Sequence, residues 1–209
     1  MRINTNVMAL NASNMLGGNQ SAVQKSINKL SSGMRINSAA DDAAGLAISE
    51  KMRSQIRGLN QAESNAQDGI SLIQTAEGAL QQTTDILQRM RELAVKAGNE
   101  GVLSPEDQQA IDVEVKALAT EINRIADSTS FNGKKILDGN GGEYKFKIGA
   151  NTFDCDTLTL SITSMTTGSL NVGSIDVIAD AKDALEKIDG AIIKVSTERA
   201  KLGAIQNRM

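Results

Sequence analysis

The chain has 209 residues and a formal net charge of −3; 40% of it is hydrophobic but only 2% aromatic, with no Trp and a single Tyr. That length supports one or two domains with a real core, which must be assembled from Leu, Ile, Val, Met and Ala, a set that suits packed helices. The absence of His removes the commonest general base and metal ligand, the lone Cys155 leaves no internal disulfide, and the charge balance gives no global reason to expect nucleic acid.

Residues 1–40 form the first segment. It carries Arg2, Lys25, Lys29 and Arg35 and no acid before Asp41. Four charges diluted by Asn and Ser are too sparse for a nucleic-acid or membrane-binding arm, which leaves an assembly arm as the better reading. Ile3, Val7 and Leu10 share one helical face and Val23, Ile27 and Leu30 another, with Gly17-Gly18 weakening the helix between them. The expected behaviour is disorder in the monomer and helix when packed against copies of itself. The start Met1-Arg2-Ile3-Asn4 lacks the continuous apolar stretch of a secretory signal, and no run approaches the length of a membrane span.

The pattern restarts near Ser38, read as an N-cap with Asp41 as its capping-box partner and Asp42 also in the first turn. Leu46, Ile48, Met52 and Ile56 carry a helix onward, with a bend expected at Gly58. The longest signal follows: Leu59, Ala62, Ala66, Gly69, Ile73, Ala76, Leu80, Thr83, Leu87, Met90, Ala94 and Ala97 recur at alternating steps of three and four without a charge among them. That is one helix face in coiled-coil register, and its many small residues let a neighbouring helix approach closely.

Gly98 and Gly101 end that helix, and Ser104-Pro105-Glu106-Asp107 opens the next with Ser at the N-cap, Pro at the first helical position and an acid at the third. Ile111, Val115, Leu118, Ile122 and Ile125 form its seam, and so short a connection makes the two helices antiparallel. From Ser128 the period changes. Asn132-Gly133, Asp138-Gly139 and Gly141-Gly142 mark turns, while Tyr144, Phe146 and Ile148, then Leu158, Leu160 and Ile162, alternate with polar residues as two strands of a hairpin crossing over at Gly149 to Thr152. A third seam, Ile175, Ile178, Ala181, Leu185, Ile188, Ile192, Val195 and Leu202, closes the bundle. The chain stops at Met209 without a cap, as though cut within a helix.

The fold class expected is therefore mainly α: a long antiparallel helical bundle in coiled-coil register, a small β-hairpin segment within 140–165, and an N-terminal helix or disordered arm. Residues 1–40 form the arm and residues 41–209 the helical core domain. Neither a phosphate-binding Gly loop nor a metal-ligand spacing nor a nucleophile–base pair is present. Acids beside Lys and Arg on helix faces read as solvated surface, Asp41-Asp42 as a cap rather than a metal site, and Cys155 between Asp154 and Asp156 as an inert thiol. No catalytic, cofactor or metal residue is assigned, and a non-enzyme is expected.

The start Met1-Arg2-Ile3-Asn4-Thr5-Asn6 and the run from Leu30-Ser31-Ser32-Gly33-Met34-Arg35-Ile36-Asn37-Ser38 through Ala39-Ala40-Asp41-Asp42-Ala43-Ala44-Gly45-Leu46-Ala47-Ile48 closely resemble bacterial flagellin. So do Leu87 to Val95, Phe131-Asn132-Gly133 and Leu202 to Arg208, so the resemblance is dense over residues 1–140 and good over 175–209. It implies a subunit that self-associates into the extracellular flagellar filament, with an inner layer of terminal helices and an outer helical layer. It implies export through the flagellar type III apparatus, signalled from the N-terminal arm, with Ile3, Val7, Leu10, Val23, Ile27 and Leu30 as arm positions. It also implies recognition by the host flagellin-sensing Toll-like receptor at Arg89, Leu93 and Glu114, all off the seams and so expected on the outward surface.

Against the family pattern, the middle segment leaves no room for large variable outer domains, and the C-terminal inner-layer helix is missing after Met209, so the chain as given is expected not to polymerise normally. A hook–filament junction protein is the alternative, disfavoured by the dense match from Arg89 to Val95. The zinc-protease insert that some flagellins carry is excluded by the lack of His.

Overall fold

A computed structural model describes residues 6–99, 101–139 and 142–209. Their contacts divide the chain into two units, Met1–Arg57 and Gly58–Met209.

In the first unit, α1 (Val7–Ser32) starts where the Asn6 side chain accepts the Ala9 N–H at 3.2 Å and stops at Gly33, whose φ of 66° is a left-handed helix terminus. Gly17 and Gly18 do not interrupt it. Residues 34–42 form a polar turn built on Asp41, whose Oδ2 accepts the N–H groups of Asn37 and Ser38 and the Ser38 hydroxyl. The next helix, α2 (Ala43–Ala97), therefore begins later than Ser38. Its first turn is capped by Asp42, which accepts the Gly45 N–H at 2.9 Å. Ser38 and Asp41 do bond to each other, but that pairing is consumed in fixing the turn and does not open the helix.

The second unit takes up α2 from Gly58, where the helix continues without a break. This glycine has a packing reason: a Cβ there would lie 2.9 Å from the Ala150 Cβ, so its absence admits the hairpin loop against the helix. Burial starts at Ala62 and runs on through Gly69, Ile73, Ala76, Leu80, Leu87, Met90 and Ala94, as the three-and-four spacing predicts, whereas Leu59 at the head of that seam is exposed. A second column of Leu72, Ala79 and Leu93 is also buried on one flank of the seam and Thr84 on the other, because the helix packs against neighbours on two sides.

Helix α3 (Pro105–Ser128) opens on the expected capping box: the Asp107 N–H donates to Ser104 Oγ at 3.2 Å and the Ser104 N–H to Asp107 Oδ2 at 3.3 Å. It buries Ile111, Val115, Ile122 and Ile125. Strands β1 (Ser130–Phe131) and β2 (Lys134–Lys135) then form a tight antiparallel pair, with Asn132 and Gly133 both at positive φ, the geometry that Asn-Gly favours in two-residue hairpin turns. Strands β3 (Glu143–Lys147) and β4 (Thr157–Ser161) make the larger hairpin, in register from Glu143↔Ser161 to Lys147↔Thr157. Tyr144 Oη donates to the Lys135 carbonyl at 2.8 Å and so ties the two hairpins together.

The short helix α4 (Thr167–Leu170) is anchored by Asn123 of α3, whose Oδ1 accepts both the N–H and the hydroxyl of Thr167. The last helix, α5 (Ala181–Gln206), starts at Asp180, which caps the N–H groups of Lys182 and Asp183. Ile175 and Ile178, expected on this helix, precede it in a turn held by Asp176; Ile175 is buried and Ile178 exposed. The buried stripe of α5 is Ala184, Ile188, Ala191, Val195, Glu198 and Leu202. Arg91 pairs with Asp189 at 2.7 Å and Glu77 with Arg199 at 3.7 Å, so α5 advances as α2 recedes and the two are antiparallel. One continuous apolar core joins these helices to Ile136, Leu137 and Leu160 of the hairpin region.

Candidate interaction surfaces

The arm positions lie on a helix that buries nothing. Val7, Leu10, Val23, Ile27 and Leu30 are each more than half exposed on α1, Leu30 at 85%, and Met8, Met15 and Leu16 add to the bare apolar surface. Ile3 lies outside the described residues. Within the same unit, Ile48, Met52 and Ile56 on the first turns of α2 are also exposed, at a spacing of four that puts them on one stripe. That stripe was legible in the sequence as a helix face, but nothing local says whether such a face is covered. An apolar surface left open over this many residues marks an interaction site.

The second unit contains the other predicted group. Arg89 donates to Glu114 Oε1 through Nε at 3.1 Å and Nη2 at 2.9 Å, and through Nη1 to Glu92 Oε2 at 3.1 Å. The hydrogen bond to Glu114, then that to Glu92, hold the guanidinium above its ordinary pKa. Arg89 and Glu114 are therefore brought together, on the surface, across α2 and α3. Leu93 is not on the surface: it is 3% exposed and belongs to the core. The expectation that it is an outward knob fails because α2 packs two columns of side chains, and Leu93 falls in the second. It forms the floor of a groove of about 530 Å³, lined also by Leu103 and Ile111, with the Glu92–Arg89–Glu114 cluster on its rim. Glu92, three residues after Arg89, joins the cluster at the spacing of a helical ion pair, a signal the sequence carries.

Among the described residues no group of three or more His, Cys, Asp or Glu is placed to hold a metal, and no helix is long and apolar enough to cross a membrane. Cys155 is a free, exposed thiol. What the arrangement offers is contact surface: an uncovered helix, an amphoteric groove and an exposed ring at the hairpin tip.

Residues 3–141 match the family described as the bacterial flagellin N-terminal helical region. The flagellin of Bacillus subtilis is 49% identical over 244 aligned positions, covering all of this chain and 80% of its own length. The flagellar filament 33 kDa core protein of Treponema phagedenis is 48% identical, with all of this chain and 78% of its own covered. The crystal structure of Bacillus cereus flagellin superposes with a TM-score of 0.60 at 34% identity, over 68% of this chain and 82% of that one. The chain belongs to the bacterial flagellin family.

Proposed function

We propose that the chain is a structural subunit of the bacterial flagellar filament, working outside the cell by packing against copies of itself. The observation that carries this reading is α1: 26 residues of helix with no buried side chain, in a chain whose second unit has closed its own core. A helix of that kind gains its stability from tertiary cover, and a subunit with unlike faces that meet head to tail without closing generates a filament. The relatives named for the flagellar filament support the same role. In the monomer the arm is held by little beyond its own hydrogen bonds, so its order depends on assembly.

The test is complementation of a flagellin-deficient bacterium, with the chain expressed as it stands and with the carboxyl-terminal segment of the host's own flagellin appended. Filaments seen by electron microscopy from the appended form, and lost on Ile27→Asp or Leu10→Asp, are the expected result. Subunits secreted normally but never assembling in either form would end the proposal.

Export through the flagellar type III apparatus belongs to the same reading, with the arm carrying the signal; deletion of the first residues should retain the protein inside the cell. So does recognition by the flagellin-sensing Toll-like receptor at the Arg89–Glu114 pair, supported by the flat multi-donor guanidinium standing over a charged-rimmed groove floored by Leu93. Arg89→Ala and Glu114→Ala should each reduce signalling in a receptor reporter assay. Equal signalling would remove the pair from the site. Leu93→Ala is uninformative there, because it alters the core.

A further inference from the structure

The chain has four aromatic residues, and their placement is uneven. Phe131, Tyr144 and Phe146 are part-buried around a cleft of about 590 Å³ between the two hairpins, floored by the buried Leu72. The fourth, Phe153, stands at the far tip of the β3–β4 hairpin, 64% exposed. The tip is not loose. The Ile148 N–H donates to the Asp156 carbonyl at 2.8 Å, the Asn151 N–H to Asp156 Oδ2 at 2.9 Å, and Lys147 Nζ to the Phe153 carbonyl at 3.3 Å. An ordered loop that holds a phenyl ring in water is the form of an anchor, not of a spacer.

The charges at the two places complement each other. Lys134, Lys135 and Lys145 rim the cleft together with the acids Asp138 and Glu143. Lys135 pairs with Asp127 and Lys145 with Glu143, whereas Lys134 has no ion pair among the described residues. At the tip, Asp156 is engaged by Asn151, but the Asp154 carboxylate beside Phe153 has no partner among the described residues. One end of the hairpin thus offers a ring and a free carboxylate, and the other an aromatic-lined cleft and a free ammonium. The cleft is lined by β3 from Glu143 to Phe146, whereas Phe153 and Asp154 lie in the loop beyond Lys147 and do not line it. Neither Phe153 nor Asp154 fills the cleft of its own molecule.

We propose that the hairpin tip of one copy seats in the cleft of a second copy, with Phe153 on the aromatic floor and Asp154 against Lys134. The contact is heterologous: every copy presents one tip and one cleft, so it propagates in a line and does not close into a dimer. It rests on the filament reading above and names a surface that makes part of that assembly, in the second unit and separate from the α1 arm.

The lone Cys155 supplies the readout. In filaments grown as described, Glu143→Cys adds a thiol at the cleft rim and leaves all three lysines in place. Oxidation with diamide should then join Cys155 of one copy to the new thiol of the next, giving a ladder of trimers and longer species on a non-reducing gel. The parent, with one thiol per copy, can give nothing beyond dimers. Phe153→Ala should slow assembly by at least about tenfold, the scale of a lost interface anchor. Lys134→Asp and Asp154→Lys should each impair assembly, and the double reversal should restore it. Filaments that form normally with no ladder, and that ignore these substitutions, would overturn the inference and leave the filament reading standing. Absence of filaments in every arm would overturn both.

Discussion

Glu198 on α5 accepts two hydrogen bonds from Thr163, thirty-five residues earlier in the chain: the backbone N–H at 3.1 Å and the hydroxyl at 3.3 Å. The carboxylate is 2% exposed and its second oxygen also accepts from Lys201 Nζ at 3.0 Å. It pins the segment leaving β4 onto the last helix, where the backbone has no ladder partner of its own.

Replacing Glu198 by Ala takes away the acceptor of the Thr163 N–H and hydroxyl and leaves a gap beneath Lys201. Losing hydrogen bonds to a buried charged group costs about 2 kcal/mol. Urea unfolding followed by far-ultraviolet circular dichroism should show the midpoint falling at unchanged slope. Glu198→Gln keeps one acceptor oxygen and should lose roughly half as much. An Ala variant as stable as the parent would mean that the carboxylate is incidental.

The capping box at the start of α3 supports a second, smaller effect. Ser104 and Asp107 satisfy each other's backbone N–H groups reciprocally, and Pro105 needs no donor there. Ser104→Ala removes one side of that exchange and should destabilise the protein by about 1 kcal/mol. Ser104→Asp should recover most of it, since an aspartate oxygen can accept the same N–H. Failure of Asp to improve on Ala would argue that the hydroxyl acts through its other contact, with the Asp107 carboxylate.

These two cases mark what was readable in the chain and what was not. The Ser-Pro-Glu-Asp cap, the Asn-Gly turn and the alternation of Tyr144 and Phe146 with lysines are local patterns, and each became the element it announced. Glu198 was invisible because its partner is distant in sequence, and an acid on a helix ordinarily means solvated surface. Leu93 lies inward, against expectation, for a related reason. A seam of period 3.5 draws a single column, whereas a helix with neighbours on two sides buries a wider face. Ser38 and Ile178 failed at boundaries: Asp42 and Asp180, each the last acid before its helix, hold the caps instead. Of the candidate surfaces, the apolar arm positions were legible by spacing. Phe153 was not, since only the fold leaves it in water at the tip of a hairpin.

Acid should loosen the turn before α5 ahead of the helices. Asp176 accepts the N–H groups of Ala179 and Ile178 at 3.1 and 2.9 Å, and these bonds, Ala179's foremost, hold its carboxyl below the ordinary 3.8. A depressed folded pKa stabilises the turn above the unfolded value, so the contribution is whole above 3.8 and lost as pH falls through the folded pKa. Amide exchange at Ile178 and Ala179, corrected for intrinsic rate, should therefore rise in that window while the α2 core amides stay protected. Asp41, held low chiefly by the Asn37 N–H, should give the same response at Asn37 and Ser38. Asp176→Asn should abolish the pH dependence at its own two amides and leave that at Asn37 and Ser38 intact; a profile unchanged by Asp176→Asn would assign the transition to some other group.

Two aliphatic truncations should separate folding from assembly. Leu80 is wholly inaccessible in the core of the second unit, and its replacement by Ala leaves a cavity that costs about 3 kcal/mol. Ile27 stands more than half exposed on α1 and touches no core, so Ile27→Ala should change the urea midpoint of the second unit by less than about 0.5 kcal/mol equivalent. In filament growth the order reverses. Ile27→Ala should lower the yield of filaments even where the monomer is fully folded, because its side chain is buried only when other copies cover the arm. Leu80→Ala should assemble at temperatures below its lowered melting point, since its side chain meets no neighbour. If Ile27→Ala instead assembled like the parent while Leu80→Ala did not at such temperatures, the open face of α1 would have no part in holding subunits together.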